Sequence, residues 1–284
     1  MQFVRKNREC ETVKEKHANG VPYLYFPALE ETGCVVNGFS TRLGGVSRGD
    51  WATMNFSFTR GDDPEAVREN YRRMAAALGV DVNRMVLSHQ THTTNVRRVT
   101  EEDAGKGVVR DRDYTDVDGL ITNVPGITLV TFYADCVPLY FVDPVRRAIG
   151  LSHSGWRGTV NRMGRVTVEA MGKAFGSDPK DIVACIGPSI CRDCYEVGPE
   201  VAEAFENAFE PAKHSEILEE KPDGKFLLDL WRANAIVMEE AGILPERIHM
   251  TDICTHCNPE LLYSHRRTGE RRGNLCAFLS LKKG

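Results

Sequence analysis

The sequence contains no run of about 18 apolar residues, so no membrane-spanning helix is expected. It has no surplus of positive charge: 36 Lys and Arg face 40 Asp and Glu, for a formal net charge of -4. A protein that grips a phosphate backbone needs a clear basic excess, so nucleic acid is not an expected partner. The same balance argues against a polybasic membrane anchor, and no membrane association is expected. The opening stretch, MQFVRKNRECETVKEKHANG, is polar and lacks the apolar centre of a secretion signal, which points to a cytoplasmic protein. No glycine fingerprint of the dinucleotide or P-loop kind follows a strand-like segment. None of the eight histidines forms an HxH pair. Repeats, low-complexity tracts and linker-like Pro/Gly/Ser stretches are also missing. The chain therefore reads as one domain over residues 1–284, with residues 1–34 a less certain N-terminal extension.

What is present is ordinary in bulk and unusual in its thiols. Hydrophobic residues make up 42 % and charged residues 27 %, and a chain of 284 residues can bury a core without staples. There are nine cysteines: Cys10, Cys34, Cys136, Cys185, Cys191, Cys194, Cys254, Cys257 and Cys276. An odd number without a secretion signal speaks against a disulfide framework. At least some of these thiols are then either small buried apolar residues or metal ligands.

The segment from Gly38 to Asn55 is rich in Gly, Ser and Thr and reads as an ordered loop. Asp62-Asp63-Pro64 starts a helix that ends before Gly79. Met85–Leu87 reads as a short strand leading into Ser88-His89-Gln90-Thr91-His92. The apolar, β-branched run 127–133 suggests a buried strand, interrupted by Ala134-Asp135-Cys136. Strands follow at 139–142 and 148–151, the latter running into Ser152-His153-Ser154-Gly155-Trp156-Arg157-Gly158. Apolar residues at helical spacing from Met163 to Phe175 predict a helix with one buried face. Further strands are expected at 182–186, 248–253 and 275–281, and further helices at 197–209 and 228–241. Short turns between neighbouring strands favour a mixed sheet over a purely parallel one.

Three good metal ligands each stand just past a predicted strand: His92, Cys136 and His153. Strand ends are rigid, and the loops beyond them carry functional groups. Two imidazoles and a thiolate suit zinc, and three protein ligands leave a fourth position open. Taken singly, a lone histidine is more often a core or surface residue, and Cys136 can be simple core filling. Two CxxC elements, Cys191–Cys194 and Cys254–Cys257, together offer a four-cysteine site. Their separation of about 60 residues lies outside compact zinc-ribbon spacing, which favours reduced thiols near a turn and a strand end. Arg42 lies in a Gly-rich loop and is a candidate phosphate binder, or else part of a tight surface turn. Arg157, in a glycine-flanked loop, is a second candidate anion binder. Asp135, beside Cys136, can orient a ligand or transfer a proton. The cluster from His265 to Arg272 reads as a solvated loop.

The segments GFSTRLGGVS, SHQTH, YADCVPL, SHSGWRG, IGPSICRDCYEVG and SHRR…GN, in this order, resemble the YfiH or laccase-domain family across roughly residues 35–282. The resemblance implies an α/β (α+β type) single-domain sandwich of mixed β-sheets covered by helices. It implies zinc held by His92, Cys136 and His153, the same three residues reached above. His89 adds an imidazole three positions before His92 and is a possible extra ligand. The CRDC and CTHC elements vary among such proteins. Members similar to this chain are purine nucleoside phosphorylases acting on adenosine, inosine and methylthioadenosine, with adenosine deaminase side activity. On that reading the substrates are a purine nucleoside and phosphate. Cys136, Asp135 and Arg42 are the expected catalytic residues, and Arg42, Asn55, Gln90 and Arg157 the expected substrate contacts. A monomer is expected. An older label for the family is copper polyphenol oxidase. A multicopper oxidase needs a mononuclear site and a trinuclear cluster, for which eight unpaired histidines are too few. Copper can nonetheless substitute for zinc in a two-histidine, one-cysteine site. The same Cys136 and His153 would serve a cysteine hydrolase as nucleophile and base.

Overall fold

The computed structural model describes residues 1–7 and 12–283, so Cys10 lies outside the described residues. Two six-stranded sheets and one three-stranded sheet are assembled with eight α-helices among the described residues. The first sheet runs, edge to edge, Lys14–Ala18, Val21–Tyr25, Val35–Ser40, Leu275–Leu281, Thr128–Tyr133 and Met85–Leu87. The second runs Ile248–Met250, Val183–Ile186, Val137–Asp143, Ala148–Ser154, Gly119–Thr122 and Val96–Arg98. Each mixes antiparallel pairs with parallel ones: Met85–Leu87 pairs parallel to Thr128–Tyr133, and Val96–Arg98 parallel to Gly119–Thr122. The mixed α/β architecture expected from the short turns and the motifs is thus the one observed.

Alternation along the strands explains the layering. In Val137–Asp143, residues Val137, Leu139 and Phe141 face a helical layer, while Tyr140 and Val142 face the first sheet. In Leu275–Leu281, Leu275, Ala277 and Leu279 face the second sheet, while Cys276 and Phe278 face the helix Pro64–Leu78. Both strands are buried on both sides, which is why they read as unbroken apolar runs. The order of layers is helix, sheet, sheet, helix. Two tyrosines stitch the sheets across their shared core. Tyr133 donates its hydroxyl to the Ser152 carbonyl at 3.0 Å, and Tyr140 donates to the Gly38 carbonyl at 3.0 Å. Buried phenols find such partners because an unpaired hydroxyl in an apolar layer is costly.

Helix boundaries follow local chemistry. Asp63 caps Pro64–Leu78 by accepting from the Glu65 N–H at 3.0 Å, Pro64 occupies the first turn, and Gly79 ends it at φ 69°. The strand at 148–151 extends to Ser154, so His153 sits inside a strand and not beyond one. The expected loop from Gly38 begins only after Ser40, since Val35–Ser40 pairs with Leu275–Leu281. The strand expected over 248–253 ends at Met250. Thr128–Tyr133 and Val137–Asp143 do not form a hairpin: they belong to different sheets, and Ala134-Asp135-Cys136 crosses between them. Residues 14–25 supply two strands of the first sheet, so much of the N-terminal segment is built into the sandwich.

Phe278 lies against Phe56 with ring centroids 5.5 Å apart and is almost fully buried. Phe278→Ala should therefore cost about 3–5 kcal/mol, read as a lowered urea midpoint at unchanged slope. A second prediction concerns pH. Asp103 accepts from Arg97, Lys106 and the Thr100 N–H at 2.8, 2.8 and 2.9 Å. Burial pushes its carboxyl up, but these donors outweigh it and bring it down to about 2. The folded form thus holds its charge more tightly than the unfolded form. Its stabilisation is present above pH 4 and is lost as pH falls toward 2. Asp103→Asn should cost about 2 kcal/mol at neutral pH, with the gap from wild type closing between pH 4 and 2 in denaturation curves. A gap independent of pH would show that the charge is not the source.

Candidate metal centre and substrate cavity

The strand order brings three distant segments to one end of the sandwich. Residues 88–95 cross from the first sheet to the second, and so do Ala134-Asp135-Cys136, while His153 arrives near the end of Ala148–Ser154. There the donor atoms of His92, Cys136 and His153 all lie within 4.8 Å of one another. Cys136 Sγ is 4.0 Å from His92 Nε2, and the two imidazole rings meet edge to face with centroids 5.0 Å apart. Metal–sulfur and metal–nitrogen bonds of about 2.3 and 2.0 Å bring tetrahedral ligand atoms to this order of separation. The donor set fits a single borderline-soft divalent ion.

Gly155 leaves room for this meeting. A Cβ there would lie 3.1 Å from Cys136 Sγ and 3.2 Å from His92 Cδ2. His92 has φ 65°, a left-handed conformation unusual for a side chain with a Cβ. What holds it there is Asp118, a residue that sequence reasoning missed. Its carboxylate is fully buried. Oδ2 accepts from the Thr91 and Thr93 N–H groups at 3.0 Å each and from the Thr93 hydroxyl at 3.0 Å. Oδ1 accepts from the His92 N–H at 3.1 Å and lies 2.8 Å from His153 Nδ1. The last contact fixes the His153 proton on Nδ1 and leaves Nε2 free as a ligand. Burial raises the Asp118 carboxyl, but His153 and the loop N–H groups bring it below its usual value.

The pair behind the centre is polarised. Burial pushes the Cys136 thiol up, yet the charge and hydrogen bonds of His153 and His92 outweigh it and bring it down to about 6. Burial works against a charged His153 ring, but Cys136 and Asp118 lift it to about 9. A thiolate facing imidazoles is the form that binds metal.

The centre opens into a cavity of about 560 Å³. Its walls include aromatic Phe58, Phe132 and Tyr195 and the cationic side chains Arg60, Arg112, Arg266 and Arg272. Arg272 is 7 % exposed, and its buried Nε has no hydrogen-bond partner. Burial, with Arg60 nearby, draws its guanidinium down to about 10. The segment from His265 to Arg272, which the sequence suggested was a solvated loop, opens with the short helix His265–Thr268 and supplies part of the cavity wall.

The other candidates divide. Gln90 lines the cavity, but its amide is matched to Phe132, donating to the carbonyl at 2.8 Å and accepting from the N–H at 2.6 Å. His89 also lines it, and its Nδ1 accepts from the Asp116 N–H at 3.2 Å, outside the ligand triad. Asp135 lies at φ 90°, with Oδ1 accepting from the Thr255 hydroxyl at 2.6 Å and Oδ2 from the Arg266 N–H at 2.6 Å. Both oxygens are engaged, so its position suits orientation of the Cys136 turn better than proton transfer. Arg42, Asn55 and Arg157 are not brought to the cavity. Arg42 donates to the Ala52 and Pro259 carbonyls at 3.0 and 2.8 Å and stacks on Tyr263. Asn55 is buried, with its amide bonded to Ser57, Asp62 and the Asn274 N–H. Arg157 is exposed and lies over Trp156.

Replacing Asp118 by Asn puts an NH₂ donor among groups that are themselves donors. Asp118→Asn should weaken metal binding at the triad about 10–100-fold, read with zinc as the probe ion in a chelator competition titration. Unchanged affinity would show that the triad keeps its geometry without this carboxylate.

Residues 36–282 match the family described as multi-copper polyphenol oxidoreductase laccase. Purine nucleoside phosphorylase YlmD of Bacillus subtilis is 35 % identical over 253 residues, covering 88 % of this chain and 89 % of that protein. Adenosine deaminase RL5, from an unknown prokaryotic organism, is 36 % identical over 241 residues, covering 84 % of this chain and 91 % of that protein. The crystal structure of YlmD from Geobacillus stearothermophilus matches with a TM-score of 0.88 at 33 % identity, covering 96 % of this chain and 100 % of that chain.

Proposed function

The chain belongs to this laccase family, and from that premise we propose that it is a zinc-dependent purine nucleoside phosphorylase with adenosine deaminase side activity. The observation that carries the reading is a two-histidine, one-cysteine triad opening into a cavity walled by arginines and aromatic rings. The volume suits a nucleoside together with phosphate. Adenosine, inosine and methylthioadenosine share the purine and ribose that such a cavity would take. Phe58, Phe132 and Tyr195 offer faces on which a purine can stack.

Phosphorolysis needs an oxyanion delivered to the anomeric carbon. A phosphate oxygen forms the new C–O bond as the N-glycosidic bond breaks, and that bond's electron pair leaves on the purine with a proton. Arg272 is the best-placed phosphate ligand, because its unpartnered Nε–H and buried charge call for an anion. Arg60 and Arg112 also line the cavity. Asp118 and Asp135 act as positioning residues, the first on the two histidines and the second on the Cys136 turn. When bound at His92, Cys136 and His153, zinc would supply a Lewis acid with an open fourth position. Copper is read as a substitute at the same triad. Among the described residues, only this triad and a four-cysteine group gather closely enough to hold an ion, and neither resembles a trinuclear histidine cluster.

The test uses full-length protein purified without added metal. Zinc and copper are quantified, and adenosine is assayed with and without phosphate. The expected result is phosphate-dependent release of adenine, lost in Cys136→Ala together with the triad's zinc. Arg272→Gln should raise the phosphate KM about 10–100-fold while leaving that zinc in place. Full activity in metal-free protein would overturn zinc dependence and favour Cys136 as a nucleophile with His153 as its base. Bound zinc without purine turnover would remove the substrate assignment.

A further inference from the structure

The two CxxC elements, distant in sequence, meet in space. Cys191 precedes the short turn Arg192–Cys194 and Cys194 closes it, and Cys254 and Cys257 lie on the loop after Ile248–Met250. The four sulfurs all lie within 4.8 Å of one another. Cys194 Sγ is 3.5 Å from Cys257 Sγ, and the Cys191 N–H donates to Cys254 Sγ at 3.3 Å. A tetrahedral ion with metal–sulfur bonds of about 2.3 Å sets its sulfurs about 3.8 Å apart. A disulfide needs about 2.05 Å, and all four thiols are free. An iron–sulfur cluster would have to spread the cysteines around bridging sulfides, whereas this spacing leaves room for one ion.

The surrounding backbone holds the quartet in place. Ser189 bridges Cys254, the Thr255 N–H donates to the Ser189 carbonyl at 3.1 Å, and the Cys194 N–H donates to the Cys191 carbonyl at 3.1 Å. Cys191 and Cys254 are buried, while Cys194 and Cys257 are half-buried. Four thiols crowded this closely have little to gain from one another. Four thiolates would repel unless a cation lay between them.

We propose that Cys191, Cys194, Cys254 and Cys257 bind a second zinc ion in closed, all-thiolate tetrahedral coordination, separate from the triad of His92, Cys136 and His153. With every position filled by protein the ion is structural. It ties the loop 251–258 to the turn at 191–194, and both approach Asp135 from outside the cavity. The Thr255 hydroxyl donates to Asp135 Oδ1 at 2.6 Å, and the Ile190 N–H donates to its carbonyl at 3.0 Å. The loop and the turn are both met by N-terminal residues. Arg5 pairs with Asp252 at 2.8 Å, Asn258 bonds both the N–H and carbonyl of Val4, and Lys6 pairs with Asp193 at 2.9 Å. The second ion thus secures the outer support of the turn that presents Cys136.

The experiment measures metal per chain in full-length protein expressed with zinc and iron both supplied. Wild type should hold close to two zinc. Cys136→Ala and Cys194→Ser/Cys257→Ser should each hold close to one. Cobalt substituted into Cys136→Ala should show the intense thiolate-to-metal charge-transfer bands of four sulfur ligands, independent of any turnover. If the double serine variant fails to fold, Cys257→His provides the alternative, since three cysteines and a histidine still bind zinc. It should fold, retain close to two zinc and shift the cobalt bands. One zinc per wild-type chain, lost in Cys136→Ala, would overturn the second site. So would iron in place of zinc, or Cys191–Cys254 and Cys194–Cys257 disulfides in protein kept under reducing conditions. These readouts do not depend on purine chemistry, so they fail separately from the proposed activity.

Discussion

A buried carboxylate with no solvent exposure is tolerable only when donors surround it, and Asp118 meets that condition. Three successive backbone N–H groups, a hydroxyl and an imidazole converge on its two oxygens. The rest of the centre depends on this arrangement. The N–H groups fold the segment 91–93 around the carboxylate, and His92 accepts a left-handed backbone as part of that fold. The ring contact determines which nitrogen of His153 is available. Cys136 then faces two imidazoles already held in place, which is why its thiol is acidic. Remove the carboxylate, and four donors and a histidine tautomer lose their reference at once.

Parts of this molecule were legible in the sequence for clear physical reasons. Leu275–Leu281 is covered on both faces, so its apolar run stands out. Pro64–Leu78 carries its own cap, proline and terminal glycine. Lys14–Ala18 was harder, because a short, partly exposed strand of charged residues resembles a loop, and Val21–Tyr25, though buried, is only five residues long and carries a proline. The crossing at Ala134-Asp135-Cys136 was not visible as one, because a short interruption between strands does not reveal which sheet the second strand will join.

The site shows the same division. His92, Cys136 and His153 could be picked out because few residue types bind zinc and each stood near a strand end. Asp118 left no such trace, since an aspartate in an acidic, polar stretch looks the same whether it faces solvent or a histidine. Arg42 sits in a Gly-rich loop of the kind that cradles anions, yet its guanidinium meets carbonyls. Arg272 sits in a charged cluster that reads as solvated, yet its Nε is buried and unmatched. Direction, not residue type, separates these cases, and direction belongs to the tertiary fold. The cysteine quartet was obscured by chain separation, which says little about distance once strands from both halves enter one sheet.

The two crossings at the centre have a further consequence. Residues 88–95 and 134–136 both pass from one sheet to the other, and His153 belongs to the second sheet. An ion gripped by all three would therefore act as a rivet through the edge of the sandwich. Without it, the Tyr133–Ser152 hydrogen bond is left to join the sheets at that end. With an ion bound, local parting would also require ligand release. Occupancy would then govern how quickly amides along residues 128–133 and 148–154 exchange with solvent, and how readily a protease finds the crossings, even where the equilibrium fold is the same.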